Sequence, residues 1–229
     1  LDRGGQLYIL GGTDVVPDLY EKELSGYNIK RLAGADRFET NLLILKEAGV
    51  KNIDEIVVCT ATNFADSLSA SAVGMPILLV WNESGRLLDS QKKYLSSLTG
   101  ASFTIVGGEC AVSTDLEKEL ESYGNVERLA GANRFETSVM VAQKYFKDVD
   151  TAVLAYAWNY PDGLCGGSLA YSLKAPLILT MTKYEAKAVE YAKAAGIETG
   201  LVLGGDTLIS DEAVRAIFAM DAADEIIEK

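Results

Sequence analysis

Two arginines are the residues of this sequence whose type and position most favour binding chemistry. Arg37 and Arg134 lie in the segments RLAGADRFET (31–40) and RLAGANRFET (128–137), which are identical at nine of ten positions and start 97 residues apart. A cation in the first turn of a helix opposes the helix dipole. The recurrence of arginine at this position therefore predicts a partner carboxylate or a bound anion.

Four other polar residues of this repeated segment predict a helix cap. Asp36 and Asn133 stand where an N-cap is expected, and Glu39 and Glu136 follow three residues later, before an apolar helical stripe. This is the spacing of a capping box, in which both side chains satisfy free backbone N–H groups. The cap explains these four residues without a ligand, so the binding question narrows to the two arginines.

A second polar pair recurs in the loops that follow predicted buried strands. Asn63 and Asp66 lie in TNFADS, and Asn159 and Asp162 lie in WNYPDG. Such loops commonly form ligand sites in α/β folds, but Asn and Asp also suit turns and caps. Both interpretations remain open. The two aspartates are also the nearest candidates for ion pairs with the arginines, and such a pair could orient a guanidinium toward a groove.

Aromatic and glycine residues near these loops also allow two interpretations. Phe64 and Tyr160 either stack on a sugar ring or fill the core. A Gly-Gly pair ends the strand-like runs LYILGG, FTIVGG and LVLGG, as at the start of a phosphate-binding loop. Neither GxGxxG nor GxxxxGK[ST] is completed, which favours a tight turn or close packing.

Composition excludes several classes of function. Histidine is absent, which removes Ser/His/Asp and Cys/His catalysis and the usual zinc sites. The cysteines at 59, 110 and 165 form no CxxC pair, so we predict buried free thiols, with no metal site and no cofactor. A net charge of -12 disfavours nucleic-acid binding. The longest apolar runs are too short to span a membrane.

Apolar runs alternating with helical patterns predict an α/β fold. EIVVCTA (55–61), PILLV (76–80) and SFTIVGG (102–108) are typical of strands buried on both faces. Segments with a period near 3.6 lie between them, and AVLAYA, PLILT and GLVLGG repeat the order. We predict tandem modules, each a Rossmann-like parallel sheet flanked by helices.

The repeat divides the chain into three parts. We expect residues 1–30 to be the back half of a repeat whose front half lies outside this sequence, and 31–127 and 128–229 to be full repeats. With 229 residues and 48% hydrophobic content, the chain can bury a substantial core. Any signal peptide is expected to lie outside the sequence, because Leu1 falls inside a repeat.

The combination of RLAGxxRFET, the Asn and Asp loop, a Pro-led apolar strand and a strand ending in Gly-Gly resembles the cell wall binding repeat type 2 of clostridial and related Gram-positive surface proteins. The resemblance covers essentially the whole chain. The family's Pro-Ile-Leu-Leu element stands at Pro76, Ile77, Leu78 and Leu79 and returns, shifted by three residues, at Pro176, Leu177, Ile178 and Leu179.

This resemblance implies an extracellular function. It implies noncovalent anchoring of a surface protein to an anionic secondary cell wall polymer, through three modules packed with pseudo-threefold symmetry in one chain. It also implies a role in polymer binding for the Pro-Ile-Leu-Leu element. By its composition, PILLV is a buried strand, so we expect this element to shape the groove more than to touch the ligand.

Three functions follow from these observations. We favour a module array without catalytic activity, whose grooves between modules present the two arginines to the polymer. An α/β enzyme acting on nucleotides or phosphate esters would use Asp66 and Asp162 as acid/base groups or Mg²⁺ ligands, but no basic phosphate clamp accompanies them. The third alternative is a structural surface-layer packing protein without polymer binding.

Overall fold

The computed structural model describes residues 4–50, 55–183, 186–221, 224 and 226. The strands are β1 (Gln6–Leu10), β2 (Asn28–Leu32), β3 (Glu55–Thr60), β4 (Ile77–Val80), β5 (Ser102–Val106), β6 (Val126–Leu129), β7 (Thr151–Tyr156), β8 (Leu177–Thr180) and β9 (Thr199–Leu203). The helices are α1 (Leu19–Glu23), α2 (Arg37–Glu47), α3 (Ala65–Ser71), α4 (Asp89–Leu95), α5 (Thr114–Glu121), α6 (Arg134–Tyr145), α7 (Gly166–Leu173), α8 (Ala186–Ala195) and α9 (Asp211–Ile217), with a 3-10 turn at Asn82–Ser84.

The strands form three parallel sheets with the orders β1-β2, β4-β3-β5-β6 and β8-β7-β9. The middle strands β3 and β7 are almost wholly buried, as expected for parallel strands covered by helices on both faces. The predicted α/β architecture of tandem parallel sheets is therefore confirmed.

Two strands were not predicted from the sequence. β2 (NIKRL) and β6 (VERL) each carry two adjacent charged residues and are only partly buried, so they lack the continuous apolar character of the other strands. β6 pairs in parallel with β5. The repeated decapeptide thus begins inside the last strand of one sheet and ends in the first helix that covers the next sheet.

The helix cap predicted for the decapeptide is confirmed in both repeats. The Asp36 carboxylate accepts a hydrogen bond from the Glu39 N–H (2.8 Å), and the Glu39 carboxylate accepts one from the Ala35 N–H (2.7 Å). A Cβ on Gly34 would lie 2.6 Å from the backbone nitrogen of Thr40, which explains the glycine. The second repeat makes the same cap contacts through Asn133, Glu136 and Ala132.

The two full repeats are joined by helix α3. This helix belongs to the first full repeat, yet it packs on α6, α7 and β8 of the second. Its apolar face, with Ala65 and Leu68, shares one buried cluster with Phe135, Leu177 and Leu179. The two repeats therefore share a continuous core at this point. Burial of apolar area there stabilises the folded chain by about 25 cal/mol per Å².

The cysteines are free but not all buried. Cys59 is buried in β3, as predicted, whereas Cys110 and Cys165 are exposed. The prediction of burial was therefore wrong for these two. Cys110 lies in a turn after β5, and Cys165 lies in the turn directly before α7. The local sequence at both positions carries no apolar periodicity that would indicate burial.

We expect Gly167→Ala to weaken the junction between the repeats. A Cβ at this position would clash with the Ser71 hydroxyl and lie 2.6 Å from the Ser71 Cβ. The clash should lower the free energy of unfolding by about 1–3 kcal/mol, as measured by chemical denaturation. Ser71→Gly should relieve the clash in a double variant.

The matched control for this substitution is Gly108→Ala, since a Cβ there meets no atom within 4 Å. It should change stability by less than about 0.5 kcal/mol. Equal stability of the Gly167→Ala and Gly108→Ala variants would contradict the close packing of α3 on α7.

Candidate functional site

A groove of about 500 Å³ lies at the carboxyl ends of β3 and β7, where the two full repeats meet. The first repeat contributes Arg37 and the loop at residues 60–64, and the second contributes Arg134, Trp158 and Tyr160. Both predicted arginines therefore line the same groove. The site depends on the junction, because its wall is shared between two repeats.

Each arginine is held by the carbonyl group that ends a neighbouring strand. Arg37 Nη1 donates to the Ala61 carbonyl oxygen (2.7 Å), and Arg134 Nη1 donates to the Ala157 carbonyl oxygen (2.7 Å). One hydrogen bond uses one of five guanidinium N–H groups. The remaining donors can still serve an anion.

The predicted ion pairs between these arginines and Asp66 or Asp162 are wrong. Across the part of the chain that the structure describes, neither guanidinium lies within 4.0 Å of a carboxylate oxygen. The backbone carbonyl of Ala61 or Ala157 accepts the hydrogen bond that was expected to go to a carboxylate. Sequence spacing identified the right loop but not the atom that accepts the hydrogen bond.

Arg134 is further fixed by aromatic rings from both repeats. Its guanidinium carbon lies 4.3 Å from the centre of the Trp158 ring and 5.7 Å from that of Phe64. Phe64 in turn meets Tyr160 edge to face, with ring centres 5.6 Å apart. Cation–π contacts of this kind contribute about 0.5–2 kcal/mol. Among the described residues no aromatic ring encloses Arg37 in this way, and its side chain is exposed.

Asp66 does not line the groove; it is partly buried, and its carboxylate lies beside Gly107 of its own repeat. Burial raises the pKa of its carboxyl to about 6, and the nearby charge of Arg134 partly opposes this shift. Burial, with the charge of Asp66 as a smaller cause, also raises the pKa of the Cys59 thiol. Asp66 thus interacts electrostatically with the arginine of the following repeat.

In each full repeat, the first glycine of the Gly-Gly pair turns sharply beside the loop aspartate. A Cβ on Gly107 would lie 2.5 Å from Asp66 Oδ2, and Gly107 has a φ of +120°. Gly204 has a φ of +127° and its Cβ would lie 3.4 Å from Asp162 Oδ2. The glycines therefore allow a sharp turn beside the aspartate, in agreement with the packing role predicted for them.

The four loop residues predicted as site residues separate in space. Asn63 lines the groove, and its side-chain oxygen accepts from the Ala65 N–H (3.2 Å). Asn159 makes a similar local hydrogen bond to the Tyr160 N–H (3.0 Å). Asn159 and Asp162 are exposed but do not line the groove. The bond of Asn63 to the N–H two residues on is the turn chemistry expected of asparagine, whereas Asn159 bonds the adjacent residue; a ligand role for either stays a prediction.

The Pro-Ile-Leu-Leu element lies mostly in the core. Leu79 lines the groove, whereas Leu78 is fully buried. The Asn41 side chain fixes this strand by bonding the Ile77 carbonyl (2.8 Å) and the Leu79 N–H (3.0 Å). Pro76 is partly buried at the strand entrance. In the first repeat the element therefore shapes the groove, as expected from its apolar sequence.

The corresponding element of the second repeat is more deeply buried. Leu177, Ile178 and Leu179 are at most 1% exposed, and Pro176 is buried as well. Side chains in this position cannot contact a polymer directly. None of these four residues lines the groove, and β8 is covered by α3 and α6, so the element packs in the core here, and the role in polymer binding that the resemblance implies for it stays a prediction.

Several lining residues were not predicted as site residues. Thr60, Thr62, Ser67 and Trp158 line the groove, yet none was singled out from the sequence. Trp158 does not recur in both repeats, because its counterpart in the first repeat is Thr62. A tryptophan two residues after a buried strand was the available signal.

Fold and groove together define a tandem α/β repeat protein with a groove between repeats. The chain belongs to the family described as Cell wall binding domain 2, which matches residues 31–117 and 128–214. The expected family membership is confirmed.

Relatives of the chain include solved structures and a curated protein. Cwp8 from Clostridium difficile has a TM-score of 0.82 and 30% identity, covering 94% of this chain and 38% of that one. Cwp6 from Clostridium difficile shares the fold, with a TM-score of 0.79 and 22% identity, covering 93% and 36%. The N-acetylmuramoyl-L-alanine amidase LytC of Bacillus subtilis (strain 168) is 30% identical over 179 residues, 75% of this chain and 34% of its own. The chain thus spans about a third of the length of these relatives.

The raised pKa of Asp66 predicts a pH-dependent stability. An aspartate has a pKa of about 3.9 in an unfolded chain, and the folded value is about 6. The folded state therefore binds the proton more tightly, and stability falls as pH rises from about 4 through about 6. We expect a loss of about 1–2 kcal/mol, reduced from the full shift because the group is partly exposed.

The variant Asp66→Asn removes this titration. It should match the wild type at pH 4 and unfold at a higher denaturant concentration at pH 7.5. An equal difference between wild type and variant at both pH values would show that the carboxyl does not titrate in this range.

Proposed function

We propose that this chain anchors a surface protein noncovalently to an anionic secondary cell wall polymer and has no catalytic activity. The observation that carries the proposal is the presence of two oriented arginines, Arg37 and Arg134, in one groove between repeats. Family membership supports cell wall binding; the anionic character of the ligand is inferred from the guanidinium groups. Guanidinium groups form strong charge-assisted bonds with phosphate and carboxylate.

The groove also carries groups suited to a saccharide. Thr60 and Thr62 hydroxyl oxygens lie 3.0 Å apart, and the Ser67 hydroxyl donates to the Phe64 carbonyl (3.1 Å). A hydroxyl that donates internally can still accept a hydrogen bond from a ligand. Concave sites with aromatic walls and a few placed polar groups are typical of ligand pockets.

The overall acidity of the chain is compatible with an anionic ligand because the two arginines act locally. The net charge is -12, whereas the described groove lining holds two arginines and no carboxylate side chain. Charge contacts within a cleft are screened less than those on an open surface. Outside the groove, the acidic surface would repel an anionic polymer, which favours binding at this site.

The same lining supports a role without catalysis. No carboxylate lines the described part of the groove, and histidine is absent from the sequence. A general base within hydrogen-bond reach of a reacting group is therefore missing from the described lining. Repeated weak contacts along a polymer instead gain affinity through high effective concentration.

We infer an extracellular location at the cell wall. The family description and the similarity to the N-acetylmuramoyl-L-alanine amidase LytC support this inference. No helix in the described ranges combines the length and the apolar character that a bilayer crossing requires.

Binding to purified wall sacculi tests the proposal. The chain should sediment with sacculi that carry the secondary polymer and stay in solution with sacculi from which this polymer has been removed. Equal sedimentation with both preparations would contradict polymer binding. Retention on bare peptidoglycan would then identify a different wall ligand.

Replacing the arginines should separate binding from folding. Arg37→Ala should weaken binding to polymer-bearing sacculi about 10-fold or more, since charge-assisted hydrogen bonds contribute about 1.5–3 kcal/mol. Arg37→Ala with Arg134→Ala should weaken it further. The thermal midpoint of Arg37→Ala should stay nearly unchanged, because this side chain is exposed.

Arg215→Ala is the charge-matched control. Arg215 lies on α9, where it bonds the Asp221 carbonyl (2.9 Å), and it does not line the groove. Its loss should leave binding unchanged. If Arg215→Ala and Arg37→Ala weaken binding equally, nonspecific charge and not the groove explains retention.

A further inference from the structure

An ion pair joins adjacent repeats at each of the two junctions, and its polarity is inverted between them. At the first junction, Lys30 Nζ on β2 lies 2.5 Å from Glu47 Oε2 on α2. At the second junction, Lys144 Nζ on α6 lies 2.5 Å from Glu127 Oε2 on β6. Both residues of the second pair follow their counterparts in the first by 97 positions. The cation and the carboxylate have therefore changed places between the repeats.

The second junction adds another carboxylate, which faces the end of α6. Glu55 begins β3 of the first full repeat, and its Oε1 lies 3.6 Å from Lys144 Nζ. The same carboxylate accepts hydrogen bonds from the hydroxyl groups of Thr104 and Tyr145. Lys144 and Tyr145 are the last two residues of α6. The preceding repeat therefore binds a helix that ends in lysine and tyrosine.

The Glu55 carboxyl group is held in its charged form. Burial raises its pKa, but hydrogen bonds from Thr104 and Tyr145 and the charge of Lys144 outweigh this effect, so the pKa lies below its usual value. The side chains of Glu55 and Lys144 are 20% and 25% exposed. Partly buried charges are screened less than charges on an open surface, so Glu55 can distinguish a cation from an anion.

Helix α2 lacks both groups that bind Glu55. The counterparts of Lys144 and Tyr145 at the 97-residue spacing are Glu47 and Ala48. If α2 took the place of α6, the Glu47 carboxylate would face the Glu55 carboxylate, and like charges repel each other. Ala48 offers no hydroxyl group in place of the tyrosine. The same carboxylate therefore favours α6 and disfavours α2.

The other contacts of α6 with the preceding repeat do not distinguish the two helices. Val141 shares a buried cluster with Val57 and Val106 of the first full repeat. Its counterpart in α2 is Ile44, which is also a branched aliphatic residue. The first four helical residues, RFET, are identical in α2 and α6. The choice between the helices therefore depends on their polar ends.

Nearly identical repeats create a risk of wrong pairing between two copies of the chain. The sheet of one copy could take β2 and α2 of a second copy in place of its own β6 and α6. Misassembly and domain swapping of this kind are characteristic failures of repeat proteins. Specific association commonly includes a repulsive element against the wrong partner, and the charge of Glu55 is suited to provide one.

We propose that Glu55 is a specificity-determining residue that binds α6 of its own chain and rejects α2 of a second copy. The accepted helix ends in Lys144 and Tyr145, and the rejected helix ends at Glu47. Selection of this kind keeps the repeats in chain order, which the shared decapeptide cannot do by itself. It is independent of what the groove binds.

Inverting the ion pair at the second junction tests the contact with Glu55. Glu127→Lys with Lys144→Glu keeps an ion pair but places a carboxylate against Glu55. We expect the equilibrium constant of unfolding to rise about 5- to 10-fold in chemical denaturation, and the further substitution Glu55→Lys to reverse most of this rise. The matched inversion at the first junction, Lys30→Glu with Glu47→Lys, should change the constant less than about 2-fold.

The inverted first junction also tests selection without a loss of stability. In Lys30→Glu with Glu47→Lys, α2 ends in a lysine, so Glu55 should accept α2 of a second copy as well as its own α6. After refolding at rising protein concentration, we expect dimers and larger species to be at least about 3-fold more abundant than for the wild type. Size-exclusion chromatography with light scattering measures this fraction.

An inversion away from the junctions is the control for refolding. Lys187 and Glu190 form an exposed ion pair on α8 (3.0 Å), and Lys187→Glu with Glu190→Lys should refold like the wild type. Glu55→Gln removes the charge with little change of shape and should also increase the fraction of dimers and larger species.

Two results would overturn the proposed selection. The first is an equal effect on stability of the inversions at the two junctions. The second is a fraction of dimers and larger species, in the inverted first junction and in Glu55→Gln, that does not exceed the wild-type fraction. Glu55 would then hold α6 in place without selecting it.

Discussion

The packing of α3 onto the following repeat is the contact on which the rest of the structure depends. Leu68 and its neighbours on α3 complete a buried cluster with Leu177 and Leu179, and the helix approaches closely because Gly167 has no side chain. This contact places the loop after β3 opposite the loop after β7. Without it, each repeat would present one arginine on an open surface rather than two in a shared groove.

Some residues of the repeated decapeptide hold the fold together, and one, the second arginine, lines the groove. Arg128 bonds Glu117 (2.8 Å) and the Gly107 carbonyl (2.8 Å), and the following residues form the turn and the helix cap. The Arg134 guanidinium is oriented by the Ala157 carbonyl and by the rings of Phe64 and Trp158. The same short segment therefore fixes a module boundary and presents a cation at it.

The sequence predicted the parts of this structure that depend on local chemistry. Continuous apolar runs identified the buried strands, and the spacing of Asp36 and Glu39 identified the cap. β2 and β6 were missed because a short, partly buried edge strand with two adjacent charged residues resembles a loop in sequence. The ion pair expected for Arg37 was wrong, because a backbone carbonyl leaves no signature in the sequence. Trp158 was missed because it does not recur.

Hydrogen–deuterium exchange with and without soluble secondary wall polymer tests most directly whether the groove between repeats is the binding site. Ligand contact should slow the exchange of backbone amides in the two loops that carry the site. The account predicts protection at residues 61–64 and 157–160, which hold the strand ends bonded to Arg37 and Arg134. Unchanged exchange in both loops, with protection confined to the outer helices α5 and α9, would contradict it.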